Sequence, residues 1–250
     1  MSLLPSLLRA ASFTSLLIAA LPALSAGILE DRAIEDSIQN SFVFRELIAD
    51  RSMVQVYVRR GSVELRGQVA DERERSLVED AISAIVGVGE VENRLFVDSA
   101  HRRSSDRWLV ARVRSQLLTN RELNGSRLQF AVRAGELVLS GTVRDDAQRD
   151  FALTHARPLA TNLQVRDEMT ISATPHPEIA IDDPSVVAMV RSALGGLSTL
   201  KLGPAGLASQ DGNVVLRGSA ASPDEIAEAV RRAQAVRGVR SVANQLSPAR

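Results

Sequence analysis

The chain has 250 residues, with 30 basic and 30 acidic side chains and no formal net charge at pH 7; a global nucleic-acid binder, which carries a basic excess, is not indicated. Cysteine is absent, which excludes disulfides, thiol nucleophiles, Cys-ligated zinc and a lipobox cysteine. Lys201 is the single lysine, so the positive charge is almost entirely arginine.

Residues 1–26 read as a secretory signal. Arg9 supplies positive charge, Phe13 to Leu21 a short apolar core, and Ala23-Leu24-Ser25 the small residues of a cleavage site before Ala26. A spanning helix needs about 20 apolar residues, and Pro22 cuts this run short. The expectation is a cleaved leader and an exported, periplasmic chain; an uncleaved anchor is the alternative.

The first unit occupies residues 30–98. Asp31 is expected to cap a helix whose apolar stripe is Ile34, Ile38 and Phe42. Val54, Val56 and Val58 then alternate with polar residues, as in a half-buried strand. In Gly61-Ser-Val-Glu-Leu-Arg-Gly67, Val63 and Leu65 point one way, Ser62 and Glu64 the other. Gly61 is expected to close a hairpin at positive φ, and Gly67 to mark a bulge or a close backbone approach. Asp71 and Glu74 form a capping box, opening a second helix with the stripe Val78, Ile82, Ile85. After Gly87-Val88, a last strand carries Val91 and Leu95 around the polar Asn93. That polar residue is expected to satisfy backbone groups or face solvent.

The unit recurs at residues 105–172 and 182–248. Its heptapeptide returns as Gly135-Glu-Leu-Val-Leu-Ser-Gly141, 74 residues on, and as Gly212-Asn-Val-Val-Leu-Arg-Gly218 after 77 more. Asp106 and Asp183 are the expected first caps, with stripes Leu109, Val113, Leu117 and Val186, Val190, Leu194. The second repeat has a strand at Leu128, Phe130 and Val132; in the third, Ala205, Leu207 and Ser209 form a degenerate strand interrupted by Gly203, Pro204 and Gly206. Capping boxes return at Asp145/Gln148 and Ser222/Glu225, where Pro223 suits the first helical position. The second-helix stripes are Ala152, Ala156, Leu159 and Ala229, Ala233, Val236, and the polar strand residues are Asp167 and Asn244. The Gly-Val entry returns at Gly238-Val239 but is missing from the second repeat. Each repeat is thus helix–strand–strand–helix–strand. Domains this small bury about 60% of their unfolded surface, so packing between repeats is expected to contribute. The linker Ser172–Asp182 carries Pro175 and Pro177, a stiff spacer; repeats one and two are therefore expected to pair, with repeat three held off.

These features, above all Gly-x-Val-x-Leu-x-Gly, the capped helix after it and the ending from Gly238 to Leu246, resemble the BON domain. This is a small αββαβ module of bacterial envelope and osmotic-stress proteins. The resemblance implies an α+β fold: three tandem domains after a signal peptide, each with two helices on one face of a three-stranded mixed sheet. It also implies binding of phospholipid or another envelope component, and no catalysis.

The most informative local stretch is His101-Arg-Arg-Ser-Ser-Asp-Arg-Trp-Leu-Val-Ala-Arg-Val-Arg114, which holds the single tryptophan. Aligning the repeats puts Trp108 opposite Ala33 and Ser185, one residue off the core stripe. On a helix it shares a side with Ala111 and Arg112. An aromatic beside Arg102, Arg103, Arg107 and Arg112 suits the headgroup region of an anionic bilayer. The competing reading packs Trp108 against a neighbouring repeat.

No other chemistry competes. His101, His155 and His176 lack metal-ligand spacing, and no nucleophile elbow, phosphate loop or paired-carboxylate site appears. No cofactor or metal is expected. The sequence therefore reads as a non-enzymatic, exported binding protein, peripheral on anionic phospholipid and linked to envelope integrity or osmotic stress. The alternative is a soluble periplasmic chaperone or adaptor for polypeptides.

Overall fold

A computed structural model describes residues 20–48, 50–97, 106–160, 163–172 and 180–249. Most of the expected leader and the arginines at 102 and 103 lie outside these residues. Helix α1 (Ala20–Asn40) runs without interruption through the expected cleavage site. No described helix is long and apolar enough to cross a membrane.

The first repeat continues with β1 (Val54–Arg59), β2 (Ser62–Val69), α2 (Glu72–Ser83) and β3 (Glu90–Val97). The second has α3 (Asp106–Leu118), β4 (Arg127–Arg133), β5 (Glu136–Val143), α4 (Asp146–Ala156) and β6 (Gln164–Ile171). The third has α5 (Asp183–Leu194), β7 (Lys201–Gln210), β8 (Asn213–Ala220), α6 (Pro223–Gln234) and β9 (Ser241–Pro248). Each repeat forms its own three-stranded sheet, with the middle strand antiparallel to the first and parallel to the last. The α+β architecture expected from the periodicities is therefore present three times.

The hairpins explain both glycines of the heptapeptide. Arg60 and Gly61 have φ of 52° and 75°, Ala134 and Gly135 50° and 79°, Asp211 and Gly212 50° and 76°. Two successive positive φ values make the type I′ turn whose twist matches its strands. The second glycine sits under the neighbouring strand. A Cβ there would lie 1.9 Å from the Met53 carbonyl oxygen at Gly67, and 2.0 Å from those of Arg127 and Lys201 at Gly141 and Gly218.

The second helices start as their capping boxes predict. Asp71, Asp145 and Ser222 accept from the backbone N–H of Glu74, Gln148 and Glu225, at 2.8, 2.8 and 3.2 Å. The Glu and Gln side chains reach back one residue beyond the cap, to the N–H of Ala70, Arg144 and Ala221. The apolar stripes of all six helices are buried.

The first helices start differently from expectation. α1 begins well before Asp31, and the cap of α5 is Asp182, which accepts from Ser185 N–H at 3.1 Å. Asp31 and Asp183 face the hairpin instead. Asp31 accepts from Arg60 and Gly61 N–H, both at 2.9 Å, and Asp183 from Asp211 and Gly212 N–H at 2.7 and 2.9 Å. The tight turn leaves two adjacent N–H groups pointing at the first helix, and a carboxylate on that helix satisfies both.

β7 also departs from expectation. It is a continuous ten-residue edge strand, and a register shift between Leu202 and Leu207 absorbs Gly203-Pro-Ala-Gly206 as a bulge. Proline is tolerated at such a place because an edge N–H is dispensable.

The expected pairing of repeats one and two, with three held off, is overturned. α5 packs along α2, and Val186, Val187, Ala188, Met189 and Val190 are each at most 8% exposed. A helix apolar on all sides is a central one. Ser185 Oγ and Asp182 accept the N–H groups of Val43 and Phe42 from repeat one, at 3.1 and 2.7 Å. Repeat three also binds repeat two, through a bridge between Val236 and Asn120. One apolar core runs through all three repeats.

Candidate functional site

The candidate surface lies at the start of α3. Leu109 and Val113 anchor that helix to its own sheet, being 7% and 0% exposed. Trp108, one residue off the stripe, is half-buried and packs its inner edge against the core. The Arg112 guanidinium lies over the indole, 5.2 Å from its centroid, a cation–π distance. Arg107 precedes Trp108 in the sequence of α3. Arg102 and Arg103 fall outside the described residues; of the expected cluster, Trp108 and Arg112 are in contact.

The three repeats give this position three environments. Ala33 is exposed, Trp108 half-buried, and Ser185 fully buried against repeat one. One turn and two turns beyond Trp108, Ala111 and Ser115 are 4% and 7% exposed, and α3 touches the turn Val43–Leu47. The helix thus contacts repeat one as well as its own sheet. Trp108 is thus partly packed against the core and partly open to solvent.

The polar strand residues serve the fold. Asn93, Asp167 and Asn244 accept from the N–H two residues ahead, in Leu95, Met169 and Leu246, at 3.0, 2.9 and 3.0 Å. Asp167 also receives Arg149 at 2.6 Å, and Asn93 donates to Glu79 at 2.7 Å. Each lies in the last strand of its sheet, whose outer side has no neighbouring strand among the described residues. A side-chain acceptor there blunts an open edge. His155 is exposed, stacked on Phe151 at 3.9 Å and hydrogen-bonded to its carbonyl. Among the described residues, no group of three or more metal-ligating side chains is placed to hold an ion.

The outer face of the first sheet was not singled out by sequence. Tyr57 and Phe96 stand there 49% and 59% exposed. Arg66 lies over Tyr57 at 5.4 Å, and an ion-pair ladder joins Arg66, Glu64, Arg94 and Glu92. The signal was available: Tyr57 and Phe96 occupy the polar phase of their strands.

The comparisons follow this architecture. The BON domain profile matches residues 30–99, 105–173 and 182–249. No curated protein matches the chain. Among solved structures, the C-terminal domain of CdsD, the structural protein of the type III secretion system of Chlamydia trachomatis, is similar at 18% identity, covering 89% of this chain and 98% of that one with a TM-score of 0.23. Another structure of CdsD gives 20% identity over 89% and 93%, with a TM-score of 0.22. Superposition that poor carries no argument about role. The repeated αββαβ unit, its glycine-bounded hairpin and the three profile matches together establish that the chain belongs to the BON domain family.

Proposed function

We propose that the protein is a non-enzymatic binding protein of the cell envelope, and that the start of α3 attaches it peripherally to anionic phospholipid. The family is one of binding modules found in envelope and osmotic-stress proteins, which supports the class. The observation that carries the site is the Trp108–Arg112 pair: an indole at the molecular surface with a guanidinium over its ring. A ring of this kind rests at the headgroup level, while each nearby arginine contributes about 1 kcal/mol on an anionic surface. Export to the periplasm is part of this proposal and rests on the leader-like residues 1–26.

Exposed Tyr57 and Phe96 on the first sheet favour a second reading, capture of polypeptide segments by a chaperone or adaptor. Salt distinguishes them. At 1 M the Debye length falls to about 3 Å, so lipid attraction collapses while apolar client binding persists. Co-sedimentation with anionic and with zwitterionic vesicles, at low and high salt, tests the proposal. Binding confined to anionic vesicles, lost in salt and weakened by Arg112→Glu, supports it. Equal binding to both vesicle types, or none to either, contradicts it.

A further inference from the structure

The repeats share a turn after their second helix and a turn after their first, and one such pair joins repeat three to repeat two. In the turn after α6, the Arg237 N–H donates to the Thr119 carbonyl at 2.8 Å, and the Ala235 carbonyl accepts from Arg121 N–H at 3.0 Å. The Arg121 guanidinium adds a bond to the Gln234 carbonyl at 3.0 Å. The first turn acts as a knob, and the segment after α3 as its receptor.

Repeat one carries the same knob, unoccupied. Ile85 N–H bonds the Ile82 carbonyl at 3.0 Å, as Val236 does that of Ala233 at 3.2 Å. Val88 N–H bonds Ile85 at 3.2 Å, as Val239 does Val236 at 3.2 Å. Gly89 and Arg240 bond Gly61 and Gly212, each at 2.8 Å, and Gly87 and Gly238 have φ of 93° and 88°. Yet Arg237 is 2% exposed, whereas its counterpart Val86 is 95% exposed. The Val86 N–H has no partner among the described residues. Clefts flank it, one lined by Asn40 and Pro184, the other by Asp80 and Leu207.

Repeat three carries a counterpart of this receptor, also exposed, which shares two of its backbone bonds but passes through Gly196 at φ 88° where repeat two has Thr119. Asn120 N–H bonds Leu117 and Leu123 N–H bonds Asn120, at 3.1 and 3.2 Å. Leu197 and Leu200 repeat both bonds, to Leu194 and Leu197, each at 3.2 Å. The counterparts of Thr119 and Arg121 are Gly196 and Ser198, both exposed. The other candidates are excluded. Repeat one's receptor is the turn Val43–Leu47, held by Ser185 and Asp182. Repeat two lacks the Gly-Val knob and turns through Arg157–Leu159.

We infer that a second copy of this chain fills these positions, with the Val86 turn of one molecule docking on Gly196–Ser198 of the next as the Arg237 turn docks on Thr119–Arg121. The Val86 N–H then donates to the Gly196 carbonyl, and the Ser198 N–H to the Ala84 carbonyl. Knob and receptor lie on different repeats, so the contact is head-to-tail and builds a ring or an open filament. Ser198 cannot supply the third bond that Arg121 makes, so each contact is weaker than the internal one.

Sedimentation of the full chain over a concentration series tests this. The weight-average mass should rise above the 27.0 kDa of one chain. Val86→Glu blocks the knob and Ser198→Glu the receptor; both sites are exposed, so circular dichroism and thermal midpoints should not move. Each variant alone should associate about tenfold less or weaker, since a buried unpaired carboxylate disfavours the contact. An equal mixture should form a species of twice 27.0 kDa, because one variant keeps its receptor and the other its knob. A wild-type chain that stays at 27.0 kDa, association that survives both variants, or a mixture that stays monomeric overturns the inference.

Discussion

At Gly67, a methyl group would lie 1.9 Å from the Met53 carbonyl oxygen, on a backbone already at φ 115°. At Gly135, with φ 79°, it would meet nothing within 4 Å. The same substitution therefore has two costs. Gly67→Ala should destabilise by about 3 kcal/mol or more, because the hairpin must open. Gly135→Ala should cost about 1 kcal/mol, the left-handed penalty alone. Urea unfolding of both variants checks this, and equal losses contradict the close-approach account. Asp31 makes a second residue-scale prediction. Hydrogen bonds from Arg60 and Gly61 N–H hold its carboxyl below the ordinary value. A carboxylate depressed in the fold contributes stability that is present above its ordinary value and lost as pH falls through the lowered one. Asp31→Asn should therefore lower the urea midpoint at neutral pH, and the gap to wild type should close in acid. A gap that widens in acid contradicts the clasp.

Among the elements, α5 organises the molecule. Met189, 1% exposed, sits where α5 meets its neighbours, so Met189→Ala should cost about 2–5 kcal/mol as a core truncation. Since α5 packs along α2, the loss should also loosen repeat one, which faster amide exchange in α2 would report; exchange changed only in repeat three contradicts the shared core. The ion pair across this contact behaves otherwise. Arg191 lies 3.1 Å from Asp80, but burial lifts the Asp80 carboxyl and the arginine only partly offsets it. The ionised form is thus less favoured in the fold than in the open chain, and stability is gained as pH falls through the raised value. Asp80→Asn at pH 7 should leave stability unchanged or raise it, by under about 1 kcal/mol. A larger loss would show that the pair, not the apolar seam, joins the repeats.

Over the whole molecule, what was legible followed from local rules. Period-two alternation gave the strands, paired glycines the hairpins, and Asp-x-x-Glu, Asp-x-x-Gln or Ser-x-x-Glu the second helices. These signals were readable because each partner lies a few residues away. The clasps of Asp31 and Asp183 were not, since their donors lie 28 to 30 residues on and the same aspartate reads equally well as a cap. The packing of repeat three on repeat one had a signal, the unbroken run Val186–Val190, but an apolar run does not say which neighbour covers it. For the candidate site, the helix phase placed Trp108 beside Arg112; its half-burial depends on tertiary packing against the core, which helix phase alone does not give. The Trp108–Arg112 pair carries the proposed attachment to lipid. Its most direct test is Trp108 emission during titration with anionic and then zwitterionic vesicles, since no second tryptophan obscures the signal. Attachment through this pair should give a blue shift with anionic vesicles alone, reversed by salt and lost in the Arg107→Glu/Arg112→Glu double variant. An emission maximum unmoved by anionic lipid would contradict it and assign the indole to packing between repeats.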